Sequence, residues 1–278
     1  MRTLRWILCL LACSWAQAAE KNPLTVEMIS EMEQIRARQT FWVGFHLKHP
    51  PGYHSYWKHP GVVGVATKIT WQLPAGFTAG EIVWPAPQKV MMSIHPAQGY
   101  RGDTLLMVPI TAPEQLPAAS VTLRAQLDWM CCQQSCHPAH AVPFSLTIAA
   151  GQEARTDEKQ AALFAQARAA VPQPDPRWLT KATIQGQHIS LTLTPASGNH
   201  RRIEDLGALW FFSGDGAIDS STPQVPTRLA DGSLRLTMQR YEFGPAELTR
   251  ITGVLQAAKG WDAEGKKPCI AIDAAVQE

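Results

Sequence analysis

The segment Asp128-Trp-Met-Cys-Cys-Gln-Gln-Ser-Cys-His-Pro-Ala-His140 concentrates more reactive chemistry than any other stretch of the chain. It holds Cys131, Cys132, Cys136, His137 and His140, and two kinds of chemistry suit such a set. The first is thiol–disulfide exchange through Cys132 and Cys136. Four residues of straight strand span about 13 Å, whereas bonded cysteines keep their Cα atoms within about 7 Å, so a bond requires the chain to turn between them. Gln133-Gln134-Ser135 contains no β-branched residue and Pro138 follows closely, which allows that turn. A loop this short constrains the unfolded chain little and can carry strain, and strained, accessible disulfides are the labile ones. The spacing therefore favours a switchable bond, with a plain structural disulfide as the alternative. The second chemistry is metal binding. Thiolates and imidazoles suit Cu(I) or zinc, although the spacing lacks the paired two-residue gaps of common zinc sites, and an oxidised pair removes two ligands. His46, His49, His54, His59 and His95, with Met91 and Met92, are upstream residues that could extend such a site, or be ordinary surface and loop side chains.

Other chemistries find little support. No serine nucleophile arrangement, phosphate-cradling glycine loop or carboxylate pair stands out, which leaves hydrolase and nucleotide-enzyme readings without a basis. The formal net charge is +2, only 17% of residues are charged and no basic stripe appears, so nucleic acid is not an expected partner.

The elements that must position the cysteines follow a period of two. Phe41, Val43, Phe45 and Leu47 alternate with Trp42, Gly44, His46 and Lys48. Val121, Leu123, Ala125, Leu127 and Trp129 lead into the cysteines, and Val142, Phe144, Leu146 and Ile148 lead away from them. One apolar and one polar face per segment is the pattern of antiparallel sandwich strands. Turn signals at Pro50-Pro51-Gly52, Pro60-Gly61 and Pro74-Ala75-Gly76 separate them. The reading is an all-β chain with a β-sandwich over about residues 22–150. Residues 151–176 form a helical connector, capped by Thr156 or Asp157 and carrying Leu163, Phe164, Ala167 and Val171 on one side, which Pro172, Pro174 and Pro176 stop. Strand patterns at Ile189–Leu193 and Leu234–Met238, with Asp231-Gly232 as a tight hairpin turn, predict a second, smaller β domain over 177–278.

The start of the chain reads as an address. A basic opening at Arg2 and Arg5, an apolar run from Trp6 to Ala16 and the small-x-small Ala16-Gln-Ala18 make residues 1–19 a signal peptide, with Ala19 beginning the mature protein. Leu10-Leu-Ala-Cys13 offers a rival lipoprotein cut that would tether the protein through Cys13, but the apolar core before it is short. The expected location is the periplasm. There the four remaining cysteines, Cys131, Cys132, Cys136 and Cys269, allow three full pairings.

Several motifs in order carry a family resemblance. Gly52-Tyr-His54-Ser-Tyr-Trp57-Lys-His-Pro60-Gly61, Trp71-Gln-Leu-Pro74-Ala-Gly76, Trp84-Pro85-Ala-Pro87, Gly99-Tyr100-Arg-Gly102 and Trp129-Met-Cys-Cys132-Gln-Gln-Ser-Cys136-His-Pro138 resemble the N-terminal periplasmic region of DsbD-type thiol:disulfide interchange proteins. Within that family the chain is similar to the ScsB-like branch, associated with copper tolerance. Trp210-Phe-Phe-Ser-Gly-Asp-Gly-Ala-Ile218-Asp, with Pro223-Gln224, resembles that branch's second β domain.

The resemblance implies an immunoglobulin-like sandwich whose Cys132–Cys136 pair relays electrons as a thiol:disulfide oxidoreductase. Cys136 would meet the partner and Cys132 would resolve. The implied partners are a membrane thiol reductase and periplasmic thioredoxin-like or disulfide isomerase proteins, with no small-molecule substrate and no cofactor beyond copper in the reduced state. Residues near Ser93–Tyr100 fall where the family carries a loop capping the pair. Two departures stand out. The common family members continue into a membrane domain and a thioredoxin-like domain, so a chain ending at Glu278 would meet its reductant in trans or would have lost the relay role. Cys131 replaces a usual apolar residue, which opens pairing with Cys269, scrambling with Cys136, or soft-metal ligation. A copper-handling module using Cys131, Cys132, Cys136, His137 and His140 is the competing function, and a scaffold with inert disulfides is the third.

Overall fold

The computed structural model describes residues 22–199 and 202–277. The leader region 1–19, with Cys9, Cys13 and Ala19, lies outside the described residues.

Strands β1 (Thr25–Ser30), β2 (Met32–Ile35), β3 (Thr40–Lys48), β4 (Ser55–Gly61), β5 (Lys68–Gln72), β6 (Thr78–Ala79), β7 (Gln88–Met92), β8 (His95–Tyr100), β9 (Asp103–Thr111), β10 (Ser120–Cys132), β11 (Cys136–Ala150) and β12 (Arg155–Thr156) build the first half. They form one sheet in the order β1-β3-β9-β6, a second in the order β12-β2-β11-β10-β5, and a small third one, β4-β8-β7. The first two enclose the sandwich core expected from the alternation. Phe41, Val43, Phe45 and Leu47 of β3 and Val121, Leu123, Ala125, Leu127 and Trp129 of β10 are all buried. On β11 the inward row is looser: Ile148 is buried, while Val142, Phe144 and Leu146 are half-buried.

The helix α1 (Glu158–Ala169) begins where the sequence places it, with Asp157 as N-cap accepting from the Lys159 N–H at 3.0 Å. Its role is more than that of a connector. Phe164 and Ala167 pack against Leu105 and Met107 on the outer face of β9, while Leu106 and Val108 face the sandwich interior. The unbroken run Leu105-Leu-Met-Val108 thus marks a strand covered on both faces, as such runs do. Truncating Phe164 to Ala would cost about 3–5 kcal/mol.

The second half comprises β13 (Trp178–Gln185), β14 (His188–Pro195), β15 (Leu209–Ser213), β16 (Val225–Arg228), β17 (Leu234–Gln239), β18 (Arg250–Ala257) and β19 (Cys269–Gln277). They run in the order β15-β18-β19-β13-β14-β17-β16 around a core that includes Leu191, Phe211, Leu236, Leu255, Trp261 and Ile272. Asp231-Gly232 sits at the tight turn of the β16–β17 hairpin: Arg228 pairs with Leu234, the Leu229 N–H donates to Ser233 O at 2.9 Å and the Gly232 N–H to Leu229 O at 3.1 Å, which closes a short loop. In that loop Asp231 accepts the Ser233 N–H at 2.9 Å and Gly232 takes φ +83°. Pro60-Gly61 ends β4, with Gly61 at φ +91° and paired with Ala97 before the chain leaves the sheet.

Apolar packing continues between the halves: Trp57 and Cys131 of the first share a core cluster with Phe212, Val254 and Cys269 of the second. No helix among the described residues is long and apolar enough to cross a membrane.

Candidate redox site

Strands β10 and β11 form a long hairpin whose tip is the cysteine cluster. Cys132 and Cys136 are a directly facing pair, the turn between them is closed by the Gln133 N–H donating to Ser135 O at 3.0 Å, and the two sulfurs are bonded. The turn inferred from Gln133-Gln134-Ser135 is therefore present. On its other side Cys132 exchanges two backbone hydrogen bonds with His54, both 2.9 Å. Pairing on both flanks fixes the Cys132 backbone, whereas Cys136 has a neighbour on one flank and faces solvent.

The two sulfurs have opposite surroundings. Cys132 is 0% exposed, packed with Tyr56, Val90 and Ala97, while Cys136 and Gln133-Gln134-Ser135 are exposed. Val90 and Ala97 face each other across the β7–β8 hairpin, which lies over Cys132. The residues Ser93–Tyr100, noted for a capping role, belong to this hairpin. Gly99 permits its close seat, because a Cβ there would stand 2.0 Å from Ser55 O.

Beneath the hairpin the Tyr56 hydroxyl donates to Cys132 Sγ at 3.2 Å, and His54 Nε2 lies 3.4 Å from the same hydroxyl. Burial pushes the Tyr56 phenol up to about 12, with Cys131 adding to the shift, so the proton it donates is retained at neutral pH. Burial, reinforced by Arg101 and His49, pulls the His54 imidazole down to about 4, so the ring is neutral. A neutral His54 can donate to the Tyr56 oxygen while that hydroxyl donates onward to sulfur, a chain in which each bond polarises the next. Tyr56 was not singled out from sequence as a site residue. Its signal was its position in the Gly52–Gly61 motif.

Strand alternation separates Cys131 from its neighbour. Cys132 faces the hairpin, whereas Cys131 points into the core between the halves. Cys131 and Cys269 are buried free thiols in one cluster, and burial pushes each up to about 11, although the Leu24 backbone opposes the shift at Cys131. Neither is a poised thiolate.

The five candidate metal ligands do not fit a metal site in this arrangement. Cys132 and Cys136 are spent on their bond, and Cys131 faces the other way. His140 Nδ1 sits 2.6 Å from Asp128, which also accepts the Ala141 N–H at 2.7 Å. Those two bonds stabilise a bulge at which Asp128 opposes both His140 and Ala141, the latter at φ +49°. The Ala141 N–H first, and His140 second, hold the Asp128 carboxyl below its ordinary range. His137 lies beside Ser135 Oγ at 3.1 Å and the Tyr53 ring at 6.0 Å. No group of three His, Cys, Asp or Glu side chains converges on a metal position among the described residues. The upstream histidines scatter as well. His49 joins Ser55 Oγ (2.8 Å) to Gly102 O (2.5 Å), His46 lies 3.5 Å from Asp103, His59 abuts Gly216, and His95 stands with Met91 and Met92 at the end of the β7–β8 hairpin.

Comparison with known proteins agrees with this geometry. Residues 20–147 match the family model described as thiol:disulfide interchange protein DsbD, N-terminal. The crystal structure of the N-terminal periplasmic domain of ScsB from Proteus mirabilis is similar in fold, with a TM-score of 0.62 at 16% identity, over 94% of this chain and 97% of that one. A cohesin module of a Clostridium perfringens family 33 glycoside hydrolase aligns with 47% of this chain and 96% of its own at a TM-score of 0.30 and 10% identity. No curated protein sequence matches the chain.

Proposed function

We propose, from the premise that residues 20–147 carry a DsbD N-terminal region, that this chain relays electrons by thiol–disulfide exchange through Cys132 and Cys136. One observation carries the reading: the bond closes across a hairpin tip with one sulfur exposed and the other buried beneath a second hairpin. A partner thiolate reaches Cys136 Sγ and forms a mixed disulfide. The Cys132–Cys136 bond breaks, its electron pair goes to Cys132, and that sulfur takes up a proton. The partner's second thiolate then attacks its own sulfur in the mixed disulfide and releases Cys136, so two electrons and two protons have moved to this chain. Discharge runs in reverse order: the Cys136 thiolate attacks an acceptor disulfide and Cys132 resolves the mixed species. The Tyr56 hydroxyl stabilises the charge that arrives on Cys132.

In this reading residues 22–150 are the exchange domain, 151–176 the connector and 177–278 a second β domain. Residues 1–19 direct export to the periplasm. A membrane thiol reductase supplies electrons, and periplasmic thioredoxin-like or disulfide isomerase proteins accept them. Copper tolerance enters only through Cu(I) held by the reduced thiols.

Equilibration against glutathione buffers, followed by alkylation and peptide mapping of Cys132 and Cys136, tests the relay. The expected potential lies well above the roughly −300 mV of inert structural disulfides. A pair that stays oxidised across the glutathione range is a scaffold bond, and the proposal fails.

A further inference from the structure

The hairpin over Cys132 has a second face, and it is occupied. Along β7 and β8 the facing pair Val90 and Ala97 packs on Cys132. The adjacent facing pair, Lys89 and Gln98, points the other way because side chains alternate across a strand. That outer pair meets the second half of the chain. Gln98 is 3% exposed, and its amide donates to Ser213 O of the second half at 2.9 Å and to His59 O of the neighbouring strand β4 at 2.7 Å. The Lys89 ammonium lies 4.0 Å from the centre of the Trp210 ring. Two residue pairs further on, Pro96 O accepts from Ser220 Oγ at 3.2 Å, and Ser220 Oγ in turn accepts the Val62 N–H at 3.0 Å.

We propose that the second half of the chain clamps the β7–β8 hairpin onto Cys132, with Gln98 as the positioning residue of the clamp. The hairpin is held between the buried sulfur and the 213–220 segment, so it cannot lift from Cys132 without first breaking the Gln98 and Ser220 hydrogen bonds. Those contacts set how often Cys132 becomes reachable and keep attack on the exposed Cys136. The relevance of the clamp to electron relay rests on the exchange reading above. The clamp itself is a statement about access and is measurable without any redox partner.

The test uses the reduced full chain carrying Cys136→Ser, so that Cys132 is the remaining thiol of the pair. Alkylation of Cys132 by iodoacetamide is followed over time by peptide mass spectrometry, with Cys131 and Cys269 read in the same digest. Gln98→Glu keeps the shape but sets an acceptor against two carbonyl oxygens, and Ser220→Ala removes the second tie. The loss of hydrogen bonds of this kind predicts labelling of Cys132 about tenfold faster in Gln98→Glu and about fivefold faster in Ser220→Ala, with Cys131 and Cys269 unchanged. Unchanged labelling of Cys132 in both variants overturns the clamp. So does labelling of Cys131 and Cys269 that rises in step with Cys132, since the fold as a whole would then have loosened. Failure here leaves the glutathione potential of the intact pair untouched, and failure of that potential leaves the labelling result standing.

Discussion

Replacing Tyr56 by Phe removes one oxygen and keeps the ring that packs against Val90, Ala97 and Cys132. That oxygen stands 3.2 Å from Cys132 Sγ, the atom that would leave as a thiolate in the proposed attack on Cys136. A hydrogen bond to a charged acceptor contributes about 1.5–3 kcal/mol, against about 0.5–1.5 for a neutral one. The hydroxyl therefore favours the departing thiolate over the bonded sulfur by about 1–2 kcal/mol. Brønsted coefficients near 0.5 in thiol exchange imply that roughly half of this difference is felt in the transition state. Reduction of Tyr56→Phe by dithiothreitol should then be about two- to fivefold slower than that of the parent. The pKa of Cys132 in the reduced variant should be about one unit higher. Acid-quenched alkylation over time gives the rate, and the pH dependence of labelling in a Cys136→Ser background gives the pKa. A rate and a pKa both equal to the parent's would refute the role given to Tyr56.

Acidification should destabilise the fold. An unfolded histidine binds its proton near pH 6.5 but folded His54 only near 4, so between those values the unfolded chain holds more protons and stability falls as pH drops, by up to about 3 kcal/mol in all. His49 and His59 shift in the same direction, so urea melts from pH 7 to pH 4 should show the loss in the parent and a smaller one in His54→Gln. At the bulge, Asp128→Ala should cost about 1–2 kcal/mol in a thermal or urea melt, by stranding the Ala141 N–H, while Ala141→Gly should raise stability by about 1 kcal/mol. Cys136→Ser should abolish exchange with glutathione, and the double change His137→Ala with His140→Ala should leave it within about twofold, a margin that excludes general acid–base roles. Tight Cu(I) binding should appear, if anywhere, in the reduced protein and weaken as pH falls; one copper held tightly by the oxidised chain would make the cluster a metal site first.

What could be read from the sequence was local. The alternation of Val121 to Trp129, the Asp157 cap and the turn at Gln133-Gln134-Ser135 each depend on neighbours a few residues away, and the structure contains all three. Features that depend on distant partners were not legible. Tyr56 meets Cys132 across 76 residues, and Gln98 meets Ser213 across 115. A single tyrosine or glutamine in a strand carries no pattern that announces such a meeting. The docking of α1 was half-visible: the apolar side of the helix was plain, but its target was hidden in the run Leu105–Val108, where continuous hydrophobicity does not say what covers the second face. The five soft ligands crowded between Cys131 and His140 suggested convergence. Alternation along β10 and the bulge at Asp128 separate them instead, because adjacent strand positions face opposite ways.

The placement of Cys131 back to back with Cys132 has a consequence for how the chain matures. Once β10 and β11 are in register, Cys131 faces His137 across the hairpin and sits within the core, where Cys136 cannot reach it. Before that register exists, Cys131 and Cys132 compete for Cys136 almost equally, since loops of four and five residues have nearly the same closure entropy. Strand pairing, not proximity along the chain, selects the bond. Oxidation that outruns folding would therefore give a share of Cys131–Cys136 isomer, and pairing Cys131 opposite Cys136 would slip β10 by one residue and turn the apolar row from Val121 to Trp129 to the wrong face. That share would have to be reduced or isomerised before burying its core, so the speed of the first oxidation relative to hairpin formation would set the yield of the native bond.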